Sequence, residues 1–278
     1  MELFNEQTLL HCAVVQRDKK LVEELISNGY DINNKYYCME ICGELISGIA
    51  PIHVAVALDS REMVEFLMKK ETNINLKSGQ ELHEEYTLLH ARKLAPIHIA
   101  VKKNNIQMIN LLSENGADLD IRDEQDESPL DMAVDHTLIA ATLIANGADI
   151  ASGDIPLMFR AIARKNFELV CILSQIHDPN LMFKGKTVLE CAMENFPETV
   201  ECLIINNCFI KGHKNHETFK TPLHRAIEMR NENWINLLIK KEFDVNAPDK
   251  DQNYPLHYAV YCKSSRKTML YLLSAGAK

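Results

Sequence analysis

Apolar positions spaced i, i+3 and i+4 recur in pairs of short segments along this chain, with polar turns between them, and each pair predicts two short antiparallel amphipathic helices. The first segment of a pair opens on a tetrapeptide whose clearest form is Thr221-Pro222-Leu223-His224. Related forms are Thr8-Leu9-Leu10-His11, Ala50-Pro51-Ile52-His53, Ala95-Pro96-Ile97-His98, Ser128-Pro129-Leu130-Asp131 and Tyr254-Pro255-Leu256-His257. Two blurred copies, Pro156-Leu157-Met158-Phe159 and Thr187-Val188-Leu189-Glu190, fill the remaining gaps. The second segment carries an apolar pair, as in Phe66-Leu67, Leu111-Leu112, Ile172-Leu173, Leu203-Ile204 and Leu237-Leu238. Starts at 8, 50, 95, 128, 156, 187, 221 and 254 are separated by 42, 45, 33, 28, 31, 34 and 33 residues. Thr221 is placed to cap a helix, and Pro222 fits a first turn that needs no amide donor. Leu223 and Ala226 then point into the interface between helices.

A step near 33 residues with this tetrapeptide resembles the ankyrin repeat. The resemblance covers about residues 5–277. It implies an all-α repeat solenoid: an ankyrin-repeat stack of paired antiparallel helices with connecting β-hairpin or finger loops, in one domain over 1–278. It also implies that His11, His53, His98, His224 and His257 are framework, bonding backbone and neighbouring loops. Repeats one, three, seven and eight match best, and five and six are held in register by spacing alone. Asn28-Gly29-Tyr30-Asp31, Asn115-Gly116-Ala117-Asp118 and Asn146-Gly147-Ala148-Asp149 place Gly where a second helix needs a left-handed cap. Elsewhere Glu71, His177, Cys208 or Glu242 fills that slot, at a cost in strain. The Gly usual between paired helices is absent, with Asn104, Lys165 and Arg230 among its replacements.

The long steps place extra residues within about 34–49 and 76–94, in connecting fingers on one edge of such an array. Tyr36, Tyr37, Met39 and Tyr86 there read equally as partner contacts or as a lid folded back on the array. Thr87-Leu88-Leu89-His90 mimics a repeat start, but Ala95 follows too soon for two helices. The short step, with Ser152-Gly153-Asp154 in place of a finger, predicts a bend near 152. Terminal repeats need polar outer faces, for which Arg17, Asp18, Lys19, Lys20, Glu23 and Glu24 serve at one end and Lys263–Lys267 at the other.

Composition narrows the function classes. The core is aliphatic, since aromatics are 6% and Trp234 is the single Trp. A net charge of −9 fits a solubilising surface, with a basic-faced partner as the sharper alternative; no basic stripe favours nucleic acid. No stretch approaches the ~20 continuous apolar residues of a membrane span. Met1-Glu2-Leu3-Phe4-Asn5 lacks the start of a secretory signal. The eight cysteines lie mostly among Ala, Ile and Leu, which points to a reducing, intracellular setting. Cys38-x3-Cys42 has no second ligand pair of zinc spacing, and His213-x2-His216 lies on a polar finger as solvated histidines. Asp123-Glu124-Gln125-Asp126-Glu127 and His83-Glu84-Glu85 read as solvated loops. There is no phosphate-cradling glycine motif and no catalytic constellation, so neither a cofactor nor a metal is expected. An enzymatic site in the insertions, built on Cys38, Cys42 and His83, is the third-ranked reading.

The resemblance implies a non-enzymatic protein–protein interaction module, an adaptor, inhibitor or recruiting scaffold. Its concave face would bind another protein as a monomer, without nucleic acid or membrane. Carried onto this chain, the contact positions include Lys102, Lys103, Asp135, Arg164, Glu194, Glu228, Met229 and Tyr261 on helices, with Phe219 and Asn253 on fingers. The Lys-, Asn- and Ile-rich wording points to a microbial or viral effector acting in a host cytosol. The alternative is the recognition arm of a larger enzyme or channel.

Overall fold

The computed structural model describes residues 8–35, 37–79, 93–151, 153–176, 178, 181–210, 212–215 and 220–278. The chain divides into two compact units, Met1–Ser152 and Gly153–Lys278, at the short step of the repeat series. In the first unit the helix pairs are α1 (Leu9–Val15) with α2 (Lys19–Ser27), α3 (Pro51–Ala57) with α4 (Arg61–Met68), α5 (Pro96–Lys102) with α6 (Ile106–Glu114), and α7 (Pro129–Met132) with α8 (Thr137–Ala145). In the second they are α9 (Leu157–Ala163) with α10 (Phe167–Ile176), α11 (Val188–Asn195) with α12 (Val200–Ile205), α13 (Pro222–Glu228) with α14 (Glu232–Lys240), and α15 (Pro255–Tyr261) with α16 (Arg266–Ser274). Within each unit, first helices pack on first helices of the next repeat, and second helices pack on second helices from α6 to α8 and from α10 through α16. Leu67, Leu112 and Leu143 are fully buried in the first stack, as are Leu223, Ala226 and Leu238 in the second. Helices this short are marginal alone, and the stacking of apolar faces supplies most of their stability.

The motif histidines tie successive repeats together. The Ala50 N–H donates to Nδ1 of His53 at 3.1 Å, and His53 Nε2 reaches the Leu94 carbonyl, just before the next motif, at 3.1 Å. His98 repeats the pattern with the Ala95 N–H and the Glu127 carbonyl, and His224 with the Thr221 N–H and the Asn253 carbonyl. His11 makes the outward bond to Ile49, and His257 the inward one from Tyr254. The ring thus caps its own helix, which corrects the capping role expected of Thr221. The Thr221 hydroxyl bonds the His224 ring instead, and Ala50 or Ala95 can start a helix with no hydroxyl at all. Of the three motifs without the His, two close reciprocal capping boxes, Asp131 with Ser128 and Glu190 with Thr187, while α9 opens at Pro156 with no side-chain cap.

A second ladder runs through the fingers of the first unit. Asn33 accepts the N–H of Asn73 at 2.9 Å, Asn75 that of Asp118 at 2.8 Å, and Asp120 that of Asp149 at 2.9 Å. The first insertion is a β-hairpin, β1 (Tyr37–Ile41) against β2 (Glu44–Ile49), turning at Cys42-Gly43. The second lies largely within 80–92, and with it Tyr86, His83 and the Thr87 motif, outside the described residues, as is Tyr36.

Several expectations change. Gly29, Gly116 and Gly147 adopt the left-handed cap, and so do Glu71 and Glu242; in repeat six, however, the left-handed residue is Asn207 (φ 59°), while Cys208 is buried. His177 lies outside the described residues. Asp123 is buried rather than solvated, and its carboxylate accepts the N–H groups of Gln125 and Glu127, shaping the finger. His213 is held against Glu190 at 3.1 Å rather than solvated, and His216 lies outside the described residues. The last repeat is less polar than expected, with Val260, Leu270 and Leu273 each more than half exposed.

Candidate functional site

In the second unit, three repeats build a grooved face from a hairpin, a finger and the ends of first helices. The hairpin is β3 (Met182–Phe183) against β4 (Lys186–Thr187), with Lys184 and Gly185 at the turn in left-handed conformations. Phe183 anchors it by packing on Phe159 of α9, ring centroids 5.5 Å apart. That leaves Lys184 exposed above the Phe183 ring and sets Lys186 on Glu194 of α11 at 2.5 Å. The Glu194 hydrogen bond raises the Lys186 pKa.

One repeat further on, Lys220 extends from the finger to Glu228 at the end of α13, 2.5 Å away, and lies over the Tyr258 ring of α15 at 5.1 Å. Burial opposes the charge on Lys220, and the bonds and charges of Glu228 and then Tyr258 together more than offset it, so its pKa is raised. Arg225, exposed on α13, shares Glu228 at 3.3 Å. Tyr258 is fixed from below by donating to Asp249 at 2.6 Å, while Asp249 accepts the N–H groups of Asp251 and Asn253.

Two cavities result. One, of about 390 Å³, is lined by Lys184, Lys186, Glu194, Lys220 and Arg225 among others. The other, of about 400 Å³, is lined by Lys220, Glu228, Asn253, His257, Tyr258 and Tyr261. Lys220 borders both, so the two form neighbouring parts of one face. Tyr261 projects from the end of α15 with 88% of its surface exposed, and Met229, just past α13, is also exposed.

Of the positions expected to contact a partner, the structure brings Glu194, Glu228, Asn253 and Tyr261 onto this face, with Met229 adjoining Glu228 in sequence. Phe219 lies outside the described residues. Arg164 is exposed at the end of α9 and lines neither cavity. In the first unit, Lys103 bonds the Ala57 carbonyl at 2.6 Å and pairs with Asp59 at 3.1 Å, bracing its neighbour repeat. Lys102 is half-buried, and its carbonyl lies 3.7 Å from the Cys42 thiol. Asp135 is exposed beyond α7. Tyr37 and Met39 lie on β1. Sequence reasoning missed Lys184, Lys186, Lys220, Arg225 and Tyr258; the turn pair Lys184-Gly185 between Phe183 and Lys186 was the available signal for the hairpin.

Chemically this face offers charge and aromatic surface. Among the described residues, no group of three or more His, Cys, Asp or Glu is placed to hold a metal ion, and no helix is long and apolar enough to cross a membrane. Cys171 hydrogen-bonds Cys202, and burial with that bond pushes its thiol up to about 12, so it stays protonated at neutral pH.

Comparison with known proteins bears on the fold. A family model described as ankyrin repeats in three copies matches residues 2–78 and 190–278, and one described as ankyrin repeats in many copies matches 87–133. No curated protein sequence matches the chain. Among solved structures, the chain resembles the ankyrin repeat domain of Bcl-3, titled a unique member of the IkappaB protein family. The TM-score is 0.60 and the identity 18%, over 81% of this chain and 99% of that one. Stacks of this kind are interaction scaffolds that present an extended binding surface. With histidine-linked helix pairs and family models over most of its length, the chain belongs to the ankyrin-repeat family.

Proposed function

We propose that the protein is a non-enzymatic interaction module, an adaptor, inhibitor or recruiting scaffold, whose protein partner docks on the grooved face of the second unit. The observation that carries this reading is the pair of cavities joined at Lys220 beside the exposed Tyr261 and Met229. Exposed Tyr and Met beside satisfied polar groups are the composition of interface centres. Tyr258 and Lys220 are already held in place by Asp249 and Glu228, so docking would cost little ordering there. The module works as a monomer inside a cell, with no cofactor, nucleic acid or membrane, and the hairpin at 37–49 supplies a separate contact edge.

The test is affinity capture with the native chain and with a Tyr261→Ala/Met229→Ala variant, quantified by mass spectrometry. Both positions are exposed, so the variant keeps its helical signal and melting temperature. A partner enriched on the native chain is expected to fall to background on the variant. An unchanged partner set would move the binding site off this face.

A further inference from the structure

The net charge of the chain conceals a division. The first unit carries 13 Lys and Arg against 25 Asp and Glu, whereas the second carries 17 against 14. All of the acidic excess therefore belongs to the first unit, and the unit with the grooved face is basic. The lining of the first cavity is basic as well. Lys184, Lys186, Lys220 and Arg225 line the first cavity, against Glu190 and Glu194. Glu194 engages Lys186, and the carboxylate of Glu228 is divided between Lys220 and Arg225. Lys184, at the exposed hairpin turn, rests only on the face of Phe183 among the contacts described for it. The second cavity continues the groove with the Tyr258 and Tyr261 rings.

Resting on the reading of this face as the docking site, we infer that its partner presents an extended acidic peptide segment with an aromatic or large apolar residue beside the carboxylates. The carboxylates lie over the cavity lined by Lys184, Lys220 and Arg225, and the apolar residue lies against Tyr261. Arg225 and the lysines are long donors at the groove edge, suited to carboxylates that arrive along an extended strand. A like-charged basic segment would meet four cations in one cavity, which the net charge of the whole chain would not reveal.

The experiment pans the full-length chain against a random peptide library displayed on phage, and measures resynthesised binders by fluorescence anisotropy. Expected binders are rich in Asp and Glu with one aromatic or large apolar residue. Their affinity is expected to fall about tenfold or more in a Lys184→Glu/Arg225→Glu variant, since reversing two charges at a partly desolvated edge exceeds the 1.4 kcal/mol of one decade. It is also expected to fall with rising salt, and to be lost in Tyr261→Ala. The reversed positions are exposed, so an unchanged melting temperature confirms that folding is not the cause. Binders without acidic residues that still need Tyr261 would overturn the acidic-segment inference while leaving the docking face intact. Binders indifferent to both variants would overturn the face itself. Mixed-sequence single-stranded DNA that binds more tightly than the peptides, and is lost in the charge-reversed variant, would replace the peptide with a nucleic-acid partner.

Discussion

At the residue scale, the motif histidine does two jobs that the tetrapeptide spells out only in part. Its position marked it as framework, but sequence could not show that Nδ1 replaces the capping hydroxyl, since Thr, Ala and Tyr all precede it and only the ring geometry explains the indifference. The role requires a neutral ring, with Nδ1 accepting and Nε2 donating. Burial lowers the pKa of His11, His98 and His224, and that of His53 to about 4, against the gains from its backbone bonds. For a base depressed in the folded state, the unfolded chain binds more protons between the two pKa values, so stability is intact above about pH 6.5 and falls toward pH 4. His53 alone accounts for up to about 3 kcal/mol of that fall, at 1.36 kcal/mol per pKa unit. Urea midpoints measured from pH 7 to pH 5 should decline, and a His53→Ala variant should decline less over that window. The same variant at pH 7 is expected to lose about 2–4 kcal/mol, since it takes the His53 ring from the Ala50 N–H and opens a cavity.

Turns govern the element scale. Between paired helices the backbone keeps the left-handed conformation that Gly would favour even where Gly is missing, at Arg17, Asp59, Asn104, Lys165, Arg230 and Lys263. The position could be read from register, but its backbone conformation could not. The repeat fixes the turn through its stacked helices and overrides the preference of the side chain. Arg230→Gly, at φ 52° and exposed, is expected to stabilise the second unit by about 1 kcal/mol. Gly147→Ala is expected to cost about 1–2 kcal/mol at φ 98°, and the cost is conformational because no atom stands within 4 Å of the added Cβ. Melting temperatures of the two variants should move in opposite directions. The slot misread as Cys208 belongs to Asn207, whose short amide tolerates that conformation. Likewise the finger ladder was hidden because Asn33, Asn75 and Asp120 look like ordinary loop polarity until neighbouring repeats are superposed.

At the scale of the whole molecule, the repeat series was legible from period alone, including its weakest stretch. Residues 134–189, matched by neither family model, still fold as helix pairs at the spacing expected of them. The division of charge was legible too, but only once the border between units was known, since the summed −9 points toward a basic partner and the grooved face toward an acidic one. Each unit has its own aliphatic core, and in a repeat array stability is a sum of local and nearest-neighbour terms rather than one global quantity. Trp234 is the single Trp, buried at 3% exposure in α14, so its fluorescence reports on the second unit, while far-UV ellipticity reports on both. Destabilising the first unit with His53→Ala should therefore lower the urea midpoint seen by ellipticity and leave the Trp234 midpoint where it was, splitting one transition into two. If the two probes move together by the same amount, the chain unfolds as a single cooperative body and the units are not independent.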